Sequence, residues 1–212
     1  KNTQSLDKTI VSIGSHDMLM DIVADMMSLK YGISLSSTHV GSMGGLMALK
    51  RGETTIAPTH LLDEKTGIYN VAIIEEIFGK GKISLIKGFN RIQGMMIKKG
   101  NPLNIKTIND IVGKRFVNRQ RGAGTRVLFD YLLKKENINS DSIYGYEKEL
   151  STHMAVAAAV SSDDIDVGLG IKSAANAMGL DFIEVGVEEY DFAIYTKDLD
   201  HETVKFFIDL IK

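Results

Sequence analysis

The sequence predicts an α/β protein whose helices layer on mainly parallel sheets, and three observations lead to it. Short apolar runs alternate with amphipathic stretches along the chain, as βαβ units require. No low-complexity linker or tandem repeat interrupts the 212 residues, so any division into lobes must be made by continuous strands. With 44% hydrophobic residues, the chain can bury a core sized for one domain or two small lobes.

Taken in order, "TIVSIG" (Thr9 to Gly14) reads as a strand. The helix "HDMLMDIVADMMSLK" after it is expected to place Leu19, Ile22, Val23, Met26 and Met27 on one helical face. Met18, Met20, Met26 and Met27 read as core filler. "SLSSTHV" and "MGGLMALKRG" repeat the strand-helix plan, with Gly52 as a helix stop and "TTIAP" as the next strand. "NVAIIEEIF" and "KISLIKGF" both read as strands. Beyond Gln93 come "GMMIKKGNP", a short helix "TINDIV", a strand "RFVN" and a long helix from about Gly124 to Glu136. A helix "THMAVAAAV", a strand "DVGLG", a helix "KSAANAMG", strands "DFIEV" and "YDFAIYT", and a final helix "ETVKFFIDLI" complete the order. Two strand crossings, near Gln93 to Ile97 and near Tyr190 to Tyr195, would divide the chain into a lobe of 1–92 plus 193–212 and a lobe of 93–192.

Composition excludes several function classes. Lys+Arg 25 against Asp+Glu 27 gives a net charge of -2, without the broad positive field of a nucleic-acid binder. An anion would have to be caught locally, and no direct nucleic-acid contact is expected. Cys 0 removes disulfides and thiolate metal sites. The longest uninterrupted apolar run, Met154 to Val160, is too short to span a bilayer, and no signal-like segment opens the chain. The chain starts at Lys1 without an initiator Met and ends inside a helical pattern, which reads as a domain excised from a longer protein.

The chemistry is expected at strand-to-helix junctions. "GSHD" (Gly14 to Asp17), "GSMGG" (Gly41 to Gly45), "RGAGT" (Arg121 to Thr125) and "STH" (Ser151 to His153) put hydroxyl residues and glycine at predicted helix starts. There the free N–H groups and the dipole's positive end attract oxyanions, although Ser15, Ser42, Thr125 and Ser151 or Thr152 equally suit simple capping. "RGAGT" is no P-loop, because the Lys before the hydroxyl residue and the longer glycine spacing are missing. Gly122 and Gly124 permit close backbone approach, Thr125 offers a hydroxyl, and one of Arg119, Arg121 or Arg126 could neutralise a dianion. The five histidines show no metal-binding spacing and read as local hydrogen-bonders, with His60 placed to line a cleft. Neither a catalytic residue, a metal nor a cofactor is expected.

"GSMGGLMALKRGETTIAPTHLLDEKTGIYN", "IQGMMIKKGNP", "VNRQRGAGTRVLFDYLL", "GYEKELSTHMAVAAAV", "DVGLGIKSAANAMGLDFIEV" and "EEYDF" together resemble a known family. It is the periplasmic-binding-protein-like domain found at the C-terminus of some molybdopterin biosynthesis proteins and behind helix-turn-helix domains in regulators. The resemblance runs from about Ser12 to Ile194, and the chain is more distantly similar to the molybdate and tungstate receptors of ABC transporters. It implies a type II fold of two α/β lobes joined by two crossing strands, with the ligand in a cleft and closure around it. It implies ligand contacts at Ser15, Ser42, Thr59, Thr125 and the backbone from Gly122 to Arg126, with Ser151 to His153 in second place. Arg121, Gly122, Gly124, Arg126, Ser151 and Thr152 are therefore candidates as well.

The function expected is a non-catalytic sensor or delivery domain for a small oxyanion, molybdate or tungstate foremost, in molybdenum-cofactor biosynthesis or its regulation. The resemblance implies a cytoplasmic location and an upstream fusion to a molybdotransferase or a helix-turn-helix domain. The alternatives are an accessory module of a molybdopterin molybdotransferase that holds a pterin-type ligand, and a regulator's effector domain for a small organic acid.

Overall fold

The computed structural model describes residues 8–212, and packing divides them into two units. Unit 1 is the chain through Phe89 together with Glu189–Lys212, and unit 2 is Asn90–Glu188.

Unit 1 opens with strand β1 (Thr9–Gly14), whose alternate residues Ile10, Ser12 and Gly14 are buried. Helix α1 (Met18–Tyr31) starts where the Asp17 carboxylate accepts from the Leu19 N–H, and it stops at Gly32, φ 64. Strand β2 (Ser34–His39) lies parallel to β1. Helix α2 (Gly41–Lys50), strand β3 (Ala57–Thr59) and helix α3 (Val71–Phe78) follow. Strand β4 (Ile83–Ile97) then leads into unit 2. There β5 (Phe116–Arg119), α4 (Gly124–Lys135), β6 (Glu149–Leu150), α5 (His153–Ser161), β7 (Val167–Ile171) and α6 (Lys172–Ala177) succeed one another. Strand β8 (Asp181–Tyr195) carries the chain back, and helix α7 (Glu202–Ile211) ends it.

Strand pairing is mixed rather than mainly parallel. In unit 1, β1 and β2 are parallel, while β3 runs antiparallel to β8 with Thr59 opposite Asp191. In unit 2 the order is β4-β7-β5-β6, antiparallel between β4 and β7 and parallel elsewhere. The antiparallel pairs arise because β4 and β8 are single 15-residue strands. The sequence suggested separate shorter runs, with "DFIEV" and "YDFAIYT" as two strands, whereas Asp181–Tyr195 is continuous.

Three other expectations are corrected. "NVAIIEEIF" is helix α3, not a strand: Val71, Ile74, Ile77 and Phe78 recur at helical spacing, and Ile74 and Phe78 are buried. Its ends are set by Asn70 at φ 67 and Gly79 at φ 85. In α1 the inward face belongs to Met20 and Met27, with Val23 and Ala24 packed beside them. Met18, Leu19, Ile22 and Met26 are exposed, since apolar residues occupy both sides of this helix and sheet contact selects only one. The short helix "TINDIV" forms as a tighter 3-10 turn, Ile108–Ile111.

Each unit has a core on two sides of its sheet. In unit 1, Ile10, Met20, Met27, Tyr190, Phe192 and Phe207 belong to one cluster, and Leu46, Leu49, Ile74 and Phe78 to another. In unit 2, adjacent residues of β4 divide between the two sides: Met95 packs with Phe116 and Phe129, and Met96 with Val156 and Val160. Phe207 is fully buried, edge-on to Phe192 at 5.0 Å. Phe207→Ala is expected to cost about 3–5 kcal/mol in urea unfolding; a loss below about 1 kcal/mol would mean that α7 is dispensable to the core.

Candidate functional site

Unit 1 gathers polar side chains at the ends of β1 and β3 and the start of α2. The arrangement depends on close packing: a Cβ on Gly45 would lie 2.4 Å from the Ile13 carbonyl oxygen, so glycine lets α2 sit directly against β1. Ser15 is buried, its N–H donating to the Pro58 carbonyl and its own carbonyl accepting from the Tyr190 hydroxyl. Its Oγ lies 2.6 Å from His60 Nε2, a contact that ties the end of β1 to the residue after β3. Ser42 Oγ, also buried, accepts from the His60 N–H at 3.0 Å. Thr59 is 0% exposed, and its Oγ1 has no hydrogen-bond partner among the described residues. Ser15 does not cap α1, since Asp17 does, and α2 begins at Val40 with no side-chain cap. The first-turn N–H groups of α2 are therefore left for another acceptor. Asn70 completes the cluster, accepting from the Leu61 N–H at 2.8 Å and donating to buried Asp191 at 2.9 Å.

Unit 2 has a second cluster, built on β4, β5, β8 and the start of α4. Glu188, 1% exposed, accepts on Oε2 from Arg91 Nη2 at 2.8 Å and from Gln93 Nε2 at 2.6 Å. Gln93 Oε1 in turn accepts from the Thr125 hydroxyl at 2.9 Å. Arg119, at the carboxyl end of β5, is 8% exposed. Its guanidinium bonds neutral groups, Nη1 to His153 Nδ1 at 2.9 Å and Nη2 to the Ser151 carbonyl at 3.0 Å. Because an arginine only donates, His153 Nδ1 accepts here and its ring proton sits on Nε2. Burial first, and then the like charge of Arg91, lower the Arg119 pKa from the ordinary guanidinium range to about 10, with Glu188 acting in the opposite sense. The charged form is thus held at a cost of about 3 kcal/mol, which a bound anion would offset. Helix α4 follows Ala123, which supplies no side-chain cap, so its first N–H groups are also available.

The other predicted residues take different places. Arg126 is buried against its own unit's acids: Nη1 lies 3.1 Å from Glu149, Nε 3.4 Å from Asp130, and its charge centre sits 4.2 Å from the Tyr146 ring. Burial opposes its charge, but the Tyr146 hydroxyl, Asp130 and Glu149 outweigh that and raise its pKa. Arg121 has a side chain 76% exposed and pairs with Glu147 at 3.2 Å. Gly122 is exposed at φ 84, while Gly124 is the first residue of α4. Thr152 caps α5 by accepting from the Ala155 N–H, and Ser151 contributes its carbonyl to Arg119.

Sequence reasoning named Arg119 only as one of three possible arginines, and it missed Arg91, Gln93 and Glu188. The available signal was a run of polar residues, "RIQ" and "EE", inside strands otherwise apolar. Among the described residues, no group of three or more His, Asp or Glu is placed to hold a metal ion. No helix there is long and apolar enough to cross a membrane.

Two α/β units, each with a polar cluster at strand ends, follow the plan of a two-part binding domain. Residues 23–212 match the family model for a PBP superfamily domain, and the chain belongs to that superfamily. It is 32% identical over 190 residues to the uncharacterized protein YvgK of Bacillus subtilis (strain 168), covering 89% of this chain and 62% of that protein. The chain therefore spans less than two thirds of that relative's length. Among solved structures, it is similar to an ABC-type phosphate transport receptor from Vibrio cholerae: TM-score 0.70, 16% identity, 94% of this chain and 93% of that one. It is also similar to the regulatory domain of Synechocystis PCC6803 CcmR in complex with 2-PG: TM-score 0.71, 12% identity, 96% and 94% covered. At such identities the likeness establishes the fold, a type II periplasmic-binding-protein-like plan.

Proposed function

We propose that this chain is a non-catalytic binding domain for a small anion, serving as a cytoplasmic sensor or delivery module within a longer protein. The observation that carries the reading is Arg119, a buried guanidinium whose hydrogen bonds run to neutral groups and whose pKa is lowered to about 10. A buried cation is stable only when its charge is compensated, and a ligand anion supplies that compensation. The uncapped starts of α2 and α4 add donors of the same sense.

Molybdate and tungstate are the oxyanions to which the sequence resemblance points. Arg119 brings phosphate and carboxylate ligands into the same set. An upstream molybdotransferase or helix-turn-helix partner belongs to this proposal, supported by the greater length of YvgK and by the regulatory-domain likeness.

Thermal unfolding in molybdate, tungstate, sulfate, phosphate and simple carboxylates tests it. A binding anion should raise the melting temperature with dose, reaching about 2.7 kcal/mol of added stability at a hundred times its Kd. A melting curve unmoved by all of them at millimolar concentration would end the proposal.

A further inference from the structure

Charge balance within unit 2 narrows the ligand, on the premise that the Arg119 corner receives it. We infer that the recognised end of the ligand is a singly charged carboxylate, and that tetrahedral dianions are the weaker class.

Four arginines bear on this corner; three of them face four carboxylates of the chain, so the corner sums to zero and Arg119 alone lacks a carboxylate of its own. Arg126 has Glu149 and Asp130, Arg121 has Glu147, and Arg91 has Glu188. Arg119 is left with one positive charge and neutral partners. A monoanion cancels that charge. A dianion would bring a second negative charge into a buried corner where only the fractional charge of the α4 terminus could meet it.

Donor number points the same way. A guanidinium carries five N–H groups; with one on Nη1 given to His153 and one on Nη2 to Ser151, each terminal nitrogen keeps one. Two donors on neighbouring nitrogens match the two oxygens of a planar carboxylate. The Thr125 hydroxyl donates to Gln93, so it is not a further donor for a four-oxygen anion.

Glu188 then sets the charge preference. Glu188→Gln raises the corner's net charge by one and keeps a hydrogen-bonding side chain toward Arg91 and Gln93, while the double variant Arg91→Gln/Glu188→Gln restores the original net charge. Calorimetric titration of the whole chain with acetate, benzoate, sulfate and molybdate reads the preference. The wild type is expected to bind the carboxylates at least about tenfold more tightly than the dianions. Glu188→Gln should shift that ratio about tenfold toward the dianions, and the double variant should return it. Tighter binding of sulfate or molybdate than of either carboxylate by the wild type would overturn the inference and leave anion binding standing. Failure of all four to bind would overturn both. If Glu188→Gln does not fold, as judged by its melting transition, the wild-type ranking and the double variant decide the matter.

Discussion

Arg119→Met is expected to abolish anion binding while leaving the chain as stable as the wild type or more so. Methionine keeps the apolar stem and removes a buried charge, along with its hydrogen bonds to His153 and the Ser151 carbonyl. Losing a buried charge partner weakens affinity by about 2–5 kcal/mol, roughly 30- to 5000-fold. Calorimetric titration checks the binding and urea unfolding the stability. A strongly destabilised variant would show that Arg119 serves the fold instead. The same group predicts a pH response. Its folded pKa, about 10, lies below the ordinary guanidinium value, so above about pH 10 the unfolded chain binds the proton more tightly. The cost of burying the charge is thus fully present below about pH 10 and is relieved as pH rises above it. A bound anion should reduce that dependence.

Gly45→Ala is expected to destabilise the chain by about 2–4 kcal/mol. The added Cβ would meet the Ile13 carbonyl oxygen at 2.4 Å and Gly14 Cα at 2.5 Å, both backbone atoms that cannot rotate away. Helix α2 would have to move off β1, carrying Ser42 away from the His60 N–H it accepts from. Gly44→Ala is the control, because its Cβ meets only the Val40 side chain, at 3.0 Å, which can adjust. Urea midpoints for the two variants should differ clearly, and equal midpoints would show that α2 is not packed as tightly as this contact implies.

The alternation of strands and helices was legible because backbone periodicity is local. The start of α2 could likewise be read from "GSMGG", where Gly41 takes φ 79 and Gly45 allows close approach. Side-chain direction was less accessible. In α1 both faces carry apolar residues, and contact with the sheet, not periodicity, decides that Met20 and Met27 go inward. The ranking of the arginines was hidden for a similar reason. Arg126 is balanced by Glu149, twenty-three residues away, and Arg91 by Glu188, ninety-seven away; such pairings exist only once the strands are assembled. Arg119 stands out by the absence of such a carboxylate, which no local motif encodes.

The order of the chain also bears on how the molecule is made. Ile10, Met20 and Met27 share their core cluster with Tyr190 and Phe192 of β8 and with Val204 and Phe207 of α7. Unit 2, by contrast, is one uninterrupted stretch, Asn90–Glu188. On the ribosome the first segment of unit 1, through Phe89, therefore emerges without its remaining core residues, and at about 5–20 residues per second it waits roughly 5–20 s for them. The unit begun first is completed last. During that interval its apolar strands are the surface most open to chaperones or to aggregation, while the stretch translated later can already have folded.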